Sequence, residues 1–346
     1  MLNFLGNRKP DESFVRSALA ELEGCVTESV IIEGGHVTAV LDIAQATQKQ
    51  DIQHEAEKRL LRLKGVSRAT VILTAERKGS AHNPHGKKPS GFLEMPVKNI
   101  IAVASGKGGV GKSTLAINLA AGLSKLGYRT GVLDADIYGP SLPRLAGMRD
   151  VTPERVDEKI IPIEAHGLKL MSMGFLVNEA SPMIWRGPMV QSALVQLLRD
   201  VDWSNLDVLV LDLPPGTGDI QLTLAQKVQL TGAVIVSTPQ DIALIDAHKG
   251  LEMFRKTNVP VLGIVENMSY FCCPQCNTRT DIFGHGGAKE EAAKAGVPFL
   301  GEVPLHASIR TQSDAGVPIV IAEPESHQAR AFMDVARAVG AHVVAK

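Results

Sequence analysis

The sequence predicts an α/β chain: a mostly parallel sheet flanked by helices over residues 98–346, preceded by a small α+β domain of order αββαβ over residues 1–76. Three observations carry that expectation. Past Lys98, short apolar runs (NIIAVAS, TGVLD, DVLVLDL, AVIVST, VLGIVEN) alternate with helical patterns, and strands apolar on both sides must be covered on both faces. Before residue 77, alternating strands and two helices suit a two-layer unit. Between them, residues 77–97 (RKGSAHNPHGKKPSGFLEMPV) are rich in Gly, Pro, Ser and Lys without periodicity and read as a flexible linker.

Each element follows in order. DESFVRSALAELEG is an amphipathic helix starting near Asp11, with Phe14, Val15, Leu19 and Leu22 on one face. VTESVIIEG and HVTAVLDIA alternate as strands around Gly34-Gly35, a hairpin signal. QKQDIQHEAEKRLLRLKG is a second helix closing at Gly65, and VSRATVILTAE is a third strand. In the large domain, residues 144–185 are less regular and are expected to add an edge hairpin. The last helix, SHQARAFMDVARAVGAHVV, has apolar residues at helical spacing but no basic polar face, so it is expected to pack on the sheet and not on a membrane.

Composition narrows the function classes. The 346 residues are 45% hydrophobic and 21% charged, with a formal net charge of −1. These are the values of a soluble globular protein, without a global basic field for nucleic acid. The apolar runs stop short of the roughly 18 residues that a membrane-spanning helix needs. The start, MLNFLGNRKPDESF, lacks a signal-peptide core, so a cytoplasmic protein with no membrane or nucleic-acid partner is expected.

The strand NIIAVAS leads into Gly106-Lys107-Gly108-Gly109-Val110-Gly111-Lys112-Ser113-Thr114, and a helical pattern follows. This satisfies G-x-x-x-x-G-K-[ST], a phosphate loop. Its glycines let backbone N–H groups curl around a phosphate, and the helix N-terminus adds partial positive charge. Lys112 is placed to reach the β- and γ-phosphate oxygens of ATP, and Ser113 to ligate Mg2+. A second lysine, Lys107, points away from its own phosphate cradle at that position. KGGVGKS resembles the deviant Walker A motif of the MinD/ParA/ArsA/nitrogenase-iron-protein class of ATPases. That resemblance implies that Lys107 crosses a homodimer interface to the partner's nucleotide.

The same resemblance assigns the acids. LDADIYGPS puts Asp134 and Asp136 at a strand end; Asp136 is implied to orient the attacking water, with Asp134 near the metal. LVLDLPPGTGD puts Asp212 at the Walker B position, holding Mg2+, before a switch loop at Pro214-Pro215-Gly216. Asn267 in VENMSYF is implied to read the adenine; spacing alone makes it a turn residue.

Three of the four cysteines crowd into YFCCPQC. Cys273-x-x-Cys276 supplies two thiolates, whereas a closed Zn2+ or iron–sulfur site takes four. Two copies of the chain, each giving one pair across a two-fold axis, would complete such a site. A redox pair, half a zinc knuckle and inert buried thiols are the other readings, and Cys272 is a reserve ligand.

GKGGVGKST, LDADIYGPS, MIWRGPM, DLPPGTGD, VENMSYFCCPQC and IFGHGG, in that order over residues 97–346, resemble the Mrp/ApbC family of iron–sulfur cluster carrier ATPases. The resemblance implies a homodimer in which Cys273 and Cys276 of each copy hold a labile 4Fe-4S cluster. It further implies slow ATP hydrolysis coupled to cluster handling, with cluster scaffold proteins and apo iron–sulfur proteins as partners. A MinD/ParA-type positioning ATPase, which gives the thiols no role, and a zinc-stabilised scaffold are the competing readings. The αββαβ unit resembles the module often fused ahead of this ATPase, although the family's Asp-Pro-Glu motif is replaced by LEGCVTESV, with Cys25 nearby. Trp185, Arg186 and His285 receive no derived role.

Overall fold

The computed structural model describes residues 11–22, 24–43, 49–74, 92–157, 159–177, 187–273, 275–276 and 278–343. Trp185 and Arg186 lie outside them, as does most of the 77–97 segment. The chain divides into two compact units: Met1–Lys88 with Leu176–Leu198, and Pro89–Phe175 with Arg199–Lys346. The first unit therefore includes a later segment that the contiguous boundaries read from the sequence do not contain.

The first unit begins with α1 (Glu12–Leu19), whose N-cap Asp11 accepts a hydrogen bond from the Phe14 amide at 2.9 Å. Val15, Leu19 and Leu22 are buried, but Phe14 is 45% exposed. The expected four-residue face is thus a three-residue stripe at i, i+4 and i+7, and Phe14 lies off it by one 100° step. Strands β1 (Val26–Glu33) and β2 (His36–Asp42) form the hairpin, with Glu33 opposite His36. Gly34 and Gly35 have φ of 52° and 88°, the pair of positive values that a two-residue turn matched to strand twist requires. Helix α2 (Lys49–Leu61) stops at Leu61, earlier than the expected Gly65, because the chain tightens into turns from Leu63 N to Leu60 O and from Val66 N to Leu63 O. It leads to β3 (Arg68–Thr74), parallel to β2. Val37, Ala39, Leu41, Leu60 and Val71 fill the core of this unit. Gln196 of the returning segment donates from Nε2 to Val71 O at 3.0 Å.

The second unit runs β4 (Asn99–Ala104), α3 (Lys112–Lys125), β5 (Thr130–Asp134), α4 (Leu142–Leu145), β6 (Arg155–Val156), β7 (Lys159–Ile160), β8 (Ile163–Ala165) and β9 (Leu168–Ser172). After α5 (Gly187–Asp200), whose residues up to Leu198 belong to the first unit, it continues through β10 (Val208–Asp212), α6 (Asp219–Lys227), β11 (Gly232–Ser237), α7 (Asp241–Lys256) and β12 (Val261–Asn267). The last elements are β13 (Phe271–Cys272), β14 (Arg279–Thr280), α8 (Gly287–Ala295), β15 (Phe299–Val303), α9 (Ala307–Ala315), α10 (Ile319–Ala322) and α11 (His327–Gly340). Eight strands form one sheet in the order β15-β12-β11-β4-β10-β5-β9-β8. All neighbours are parallel except β8, which turns back on β9 as the expected edge hairpin.

The strand order places β10 between β4 and β5, so the connection leaving β4 skips over it. Such a reversal opens a crevice at the carboxyl ends of the strands. Ser105, Asp134, Asp212 and Asn267 all sit along that edge. The core joins the sheet to α3 and α11, with Phe332, Val335 and Val339 buried in the same cluster as Leu115 and Leu119. The last helix therefore packs inward, as its spacing predicts. No helix among the described residues is long and apolar enough to cross a membrane.

Candidate nucleotide and thiol sites

The phosphate loop links β4 to α3. Gly109 and Gly111 adopt φ of 82°, a left-handed conformation that glycine takes without a Cβ penalty. Two other elements press on the loop. At Gly106 a Cβ would overlap the main chain of Asp246 in α7, and at Gly111 it would overlap the Asn267 amide. Asn267, the last residue of β12, donates from Nδ2 to Val110 O at 2.8 Å. The residue singled out for the base thus also braces the loop.

Lys112 opens α3 and forms an ion pair with Asp212 Oδ1; the two side chains are 7% and 3% exposed. Lys112 Nζ lies 3.4 Å from Ser113 Oγ, and Ser113 and Thr114 are half-buried beside it. The pairing follows from register, since Asp212 at the end of β10 lies opposite Val103 of β4 and Asp134 of β5. The switch loop after β10 is tied back to the phosphate loop through Gly216 N and Ser105 O at 3.0 Å.

Asp134, the register partner of Asp212, is taken up by the loop that follows it. Its Oδ1 accepts from Asp136 N at 3.0 Å, and its Oδ2 accepts from Ser141 N at 2.9 Å, Leu142 N at 3.1 Å and Ser172 Oγ at 3.2 Å. Its oxygens fold the 136–142 loop. Burial first, and then the charge of Asp212, push its carboxyl up to about 7, against the pull of the Leu142 and Asp136 amides. Asp136 is half-buried and held by Gly139 N at 3.3 Å; burial raises its pKa, while the charge of Lys112 lowers it. Lys107 is turned towards α7, where Nζ lies 3.4 Å from Gln240 Oε1, and Ser105 Oγ fixes its carbonyl at 2.9 Å.

The thiols sit on an excursion between β12 and α8. In the β13–β14 hairpin Cys272 is paired with Arg279, so the two share a face. Cys273 N donates to Thr278 O at 3.0 Å, beyond the strand end. Cys276 is exposed, and its Sγ lies 3.1 Å from Thr278 Oγ1. Hydrogen bonds from Thr278, and then from the Cys273 side chain, hold the Cys276 thiol below its ordinary value. Cys273 and Cys276 are thus brought together at one turn, while Cys272 stays in the ladder. Among the described residues, no group of three or more His, Cys, Asp or Glu side chains converges as a metal site. All four cysteines are free thiols.

Sequence reasoning missed two residues that hold this excursion. Arg279 lies over the Tyr270 ring, 4.1 Å from its centroid, and pairs with Asp281 at 3.0 Å and Glu302 at 3.2 Å. Its Nη2 also lies 3.0 Å from His285 Nδ1, which gives that loop histidine a place. Glu266, wholly buried, accepts from Ser269 Oγ at 2.6 Å and from Ala288 N at 2.8 Å. The signal for Glu266 was an acid at the end of an apolar run; nothing in NTRTD marked Arg279.

Residues 96–340 match the family described as ParA, NUBPL iron-transfer P-loop NTPase. The "Iron-sulfur cluster transfer protein NUBPL" of Dictyostelium discoideum is 56% identical over 245 residues, covering 70% of this chain and 76% of that protein. The "Iron-sulfur cluster carrier protein" of Escherichia coli K12 is 46% identical over 314 residues, 89% of this chain and 82% of that one. Among solved structures, a nucleotide-binding protein of Archaeoglobus fulgidus in complex with ADP is 40% identical, with a TM-score of 0.60 over 68% of this chain and 93% of that one. The cell division ATPase MinD of Pyrococcus furiosus shares the fold, at 24% identity and a TM-score of 0.52, covering 70% of this chain and 98% of its own. The family match spans more than half of the chain, and the chain belongs to the ParA-type family of NUBPL iron-transfer P-loop NTPases.

Proposed function

We propose that the chain is an ATPase that carries an iron–sulfur cluster and passes it to apo-proteins. The observation that carries this reading is the turn that brings Cys273 and Cys276 together, on the excursion leaving the strand whose end braces the phosphate loop. Two thiolates cannot close a cluster, so a second copy supplies the other pair, and the cargo is a 4Fe-4S cluster shared across a two-fold axis. A low thiol pKa and exposure favour both loading and release. Free thiols suit a reducing compartment, which supports a cytoplasmic setting.

At the nucleotide, Lys112 and Asp212 neutralise each other, and Mg·ATP replaces each partner by one of the same sign. Lys112 moves to the β- and γ-phosphates, and Asp212 holds Mg2+ with Ser113. Backbone amides of 106–114 cradle the phosphates, and Asp136 orients the attacking water. Asn267 presents Oδ1 to the adenine amino group while Nδ2 holds Val110. Lys107 reaches the partner's triphosphate. No covalent enzyme intermediate is required; positioning and charge stabilisation do the chemistry.

The test is anaerobic reconstitution with iron and sulfide. Brown protein carrying about four irons per dimer is expected, following from four thiolates per cluster. It should be lost in Cys273→Ala and Cys276→Ala, which still bind ATP, and retained in Cys272→Ala. Colourless protein with stoichiometric zinc would reject the carrier reading.

A further inference from the structure

Two neighbouring carboxylates hold the thiol excursion to the sheet. Glu266 and Glu302 are register partners on β12 and β15, so their side chains leave the same face of the sheet edge. Glu266 is fully buried, and its two oxygens take Ser269 Oγ and Ala288 N. These residues lie at the two ends of the excursion, so a single carboxylate closes the segment that bears both thiols. The second bond also satisfies an amide in the first turn of α8, whose N-cap Gly286 has no side chain to do so. Glu302 takes the middle of the excursion through Arg279 Nη1 at 3.2 Å. The same guanidinium is stacked on Tyr270 and bonded to Asp281 and His285. Arg279 is paired with Cys272, one residue before the turn at Cys273.

The next residue after Glu266 is Asn267, bonded to Val110 of the phosphate loop. Adjacent strand residues point to opposite faces. One strand end therefore braces the nucleotide loop with one side chain and the thiol excursion with the other. A main-chain shift of Asn267 when nucleotide fills the loop would carry Glu266 with it, because they share a planar peptide bond.

We propose that Glu266, Glu302 and Arg279 are positioning residues that couple the nucleotide loop to the thiol turn, so that the exposure of Cys273 and Cys276 follows nucleotide occupancy. The proposal rests on the carrier reading for its purpose but not for its test. None of the three residues is among those assigned above to nucleotide or cargo. Their effect is transmitted through a fixed platform with two attachment points, and loosening either point uncouples the sites without removing them.

The experiment measures iodoacetamide alkylation of Cys273 and Cys276 in cargo-free full-length protein, with and without saturating Mg·ATP, read by mass spectrometry. Nucleotide should change the wild-type rate by about fivefold, in the range of ordinary coupling between sites. In Arg279→Met the nucleotide-free rate should rise, and in Glu266→Gln the nucleotide response should vanish, while both bind ATP as the wild type does. Unchanged ATP affinity certifies folding; should Glu266→Gln fail that control, Glu302→Gln must lose the response in its place. An unresponsive wild type, or full response in Arg279→Met and the carboxylate variant, overturns the proposal. Iron and sulfide uptake, scored separately, tests the carrier reading alone.

Discussion

Lys112 and Asp212 are each other's counter-charge in a place with almost no water, 7% and 3% exposed. Removing one partner of such a pair strands a buried charge and costs about 3 kcal/mol, whereas replacing both with apolar groups is close to neutral. Lys112→Met should therefore lower the melting temperature of nucleotide-free protein as well as abolish ATP binding. The double variant Lys112→Met with Asp212→Leu should melt near the wild type while still failing to bind ATP. Calorimetry of the three proteins decides it: a Lys112→Met protein that melts with the wild type removes the pair from the stability of the fold. The pairing was legible as two motifs, since the loop fixes Lys112 and a buried strand end fixes Asp212. The partners of Asp134 were not. Strand-end acids look alike in sequence, and only the return of the chain at Ser141 and Leu142, seven and eight residues on, supplies the amides that this carboxylate accepts from.

Elements were legible where apolar runs were continuous and obscure where an edge dilutes them. Strands β4, β5, β10, β11 and β12 have covered faces and announce themselves as unbroken apolar sequence. Strand β15, FLGEV, has no such signal, because a sheet edge leaves Gly301 and Glu302 half-buried. In the small unit, the β2–β3 register sets His36 opposite Arg68, and the His36 ring reaches Thr70 two residues along β3, with Nε2 and Oγ1 2.9 Å apart. Burial, and then the Arg68 charge, lower the His36 pKa, with Glu33 opposing. The unfolded chain thus takes up the proton first. Stability from neutral His36 is present above the ordinary histidine value of about 6.5 and is lost as pH falls towards the lower folded value. Amide exchange in β2 and β3 of the full chain should accelerate between pH 7.5 and 5.5 beyond the intrinsic rate change, and His36→Gln should abolish that excess. Equal excess in both proteins would assign the effect to another group.

For the whole molecule, the sequence pointed to two chains before any geometry did, through a lysine without a use at its own phosphates and a thiol pair that is half a site. In the structure Lys107 leans on Gln240, the N-cap of α7, and Cys276 is exposed. Coupling between the two half-sites was not legible, because Glu266 and Arg279 act through contacts that fold together residues 266, 279, 288 and 302. A lysine acting in trans has a consequence that a lysine acting in cis lacks. Lys107→Ala keeps an intact phosphate loop but cannot complete its partner's site. The double variant Lys112→Met with Asp212→Leu has no working loop but still offers Lys107. Each alone should be nearly inactive. Mixed one to one, random pairing makes half the dimers mixed, each with one complete site, so about a quarter of wild-type hydrolysis should return. The recovered rate should vanish on dilution below the dimer dissociation constant. If the mixture hydrolyses ATP no faster than the two proteins measured apart, Lys107 serves its own chain, and the two-fold arrangement loses its nucleotide half while the thiol half still stands to be tested.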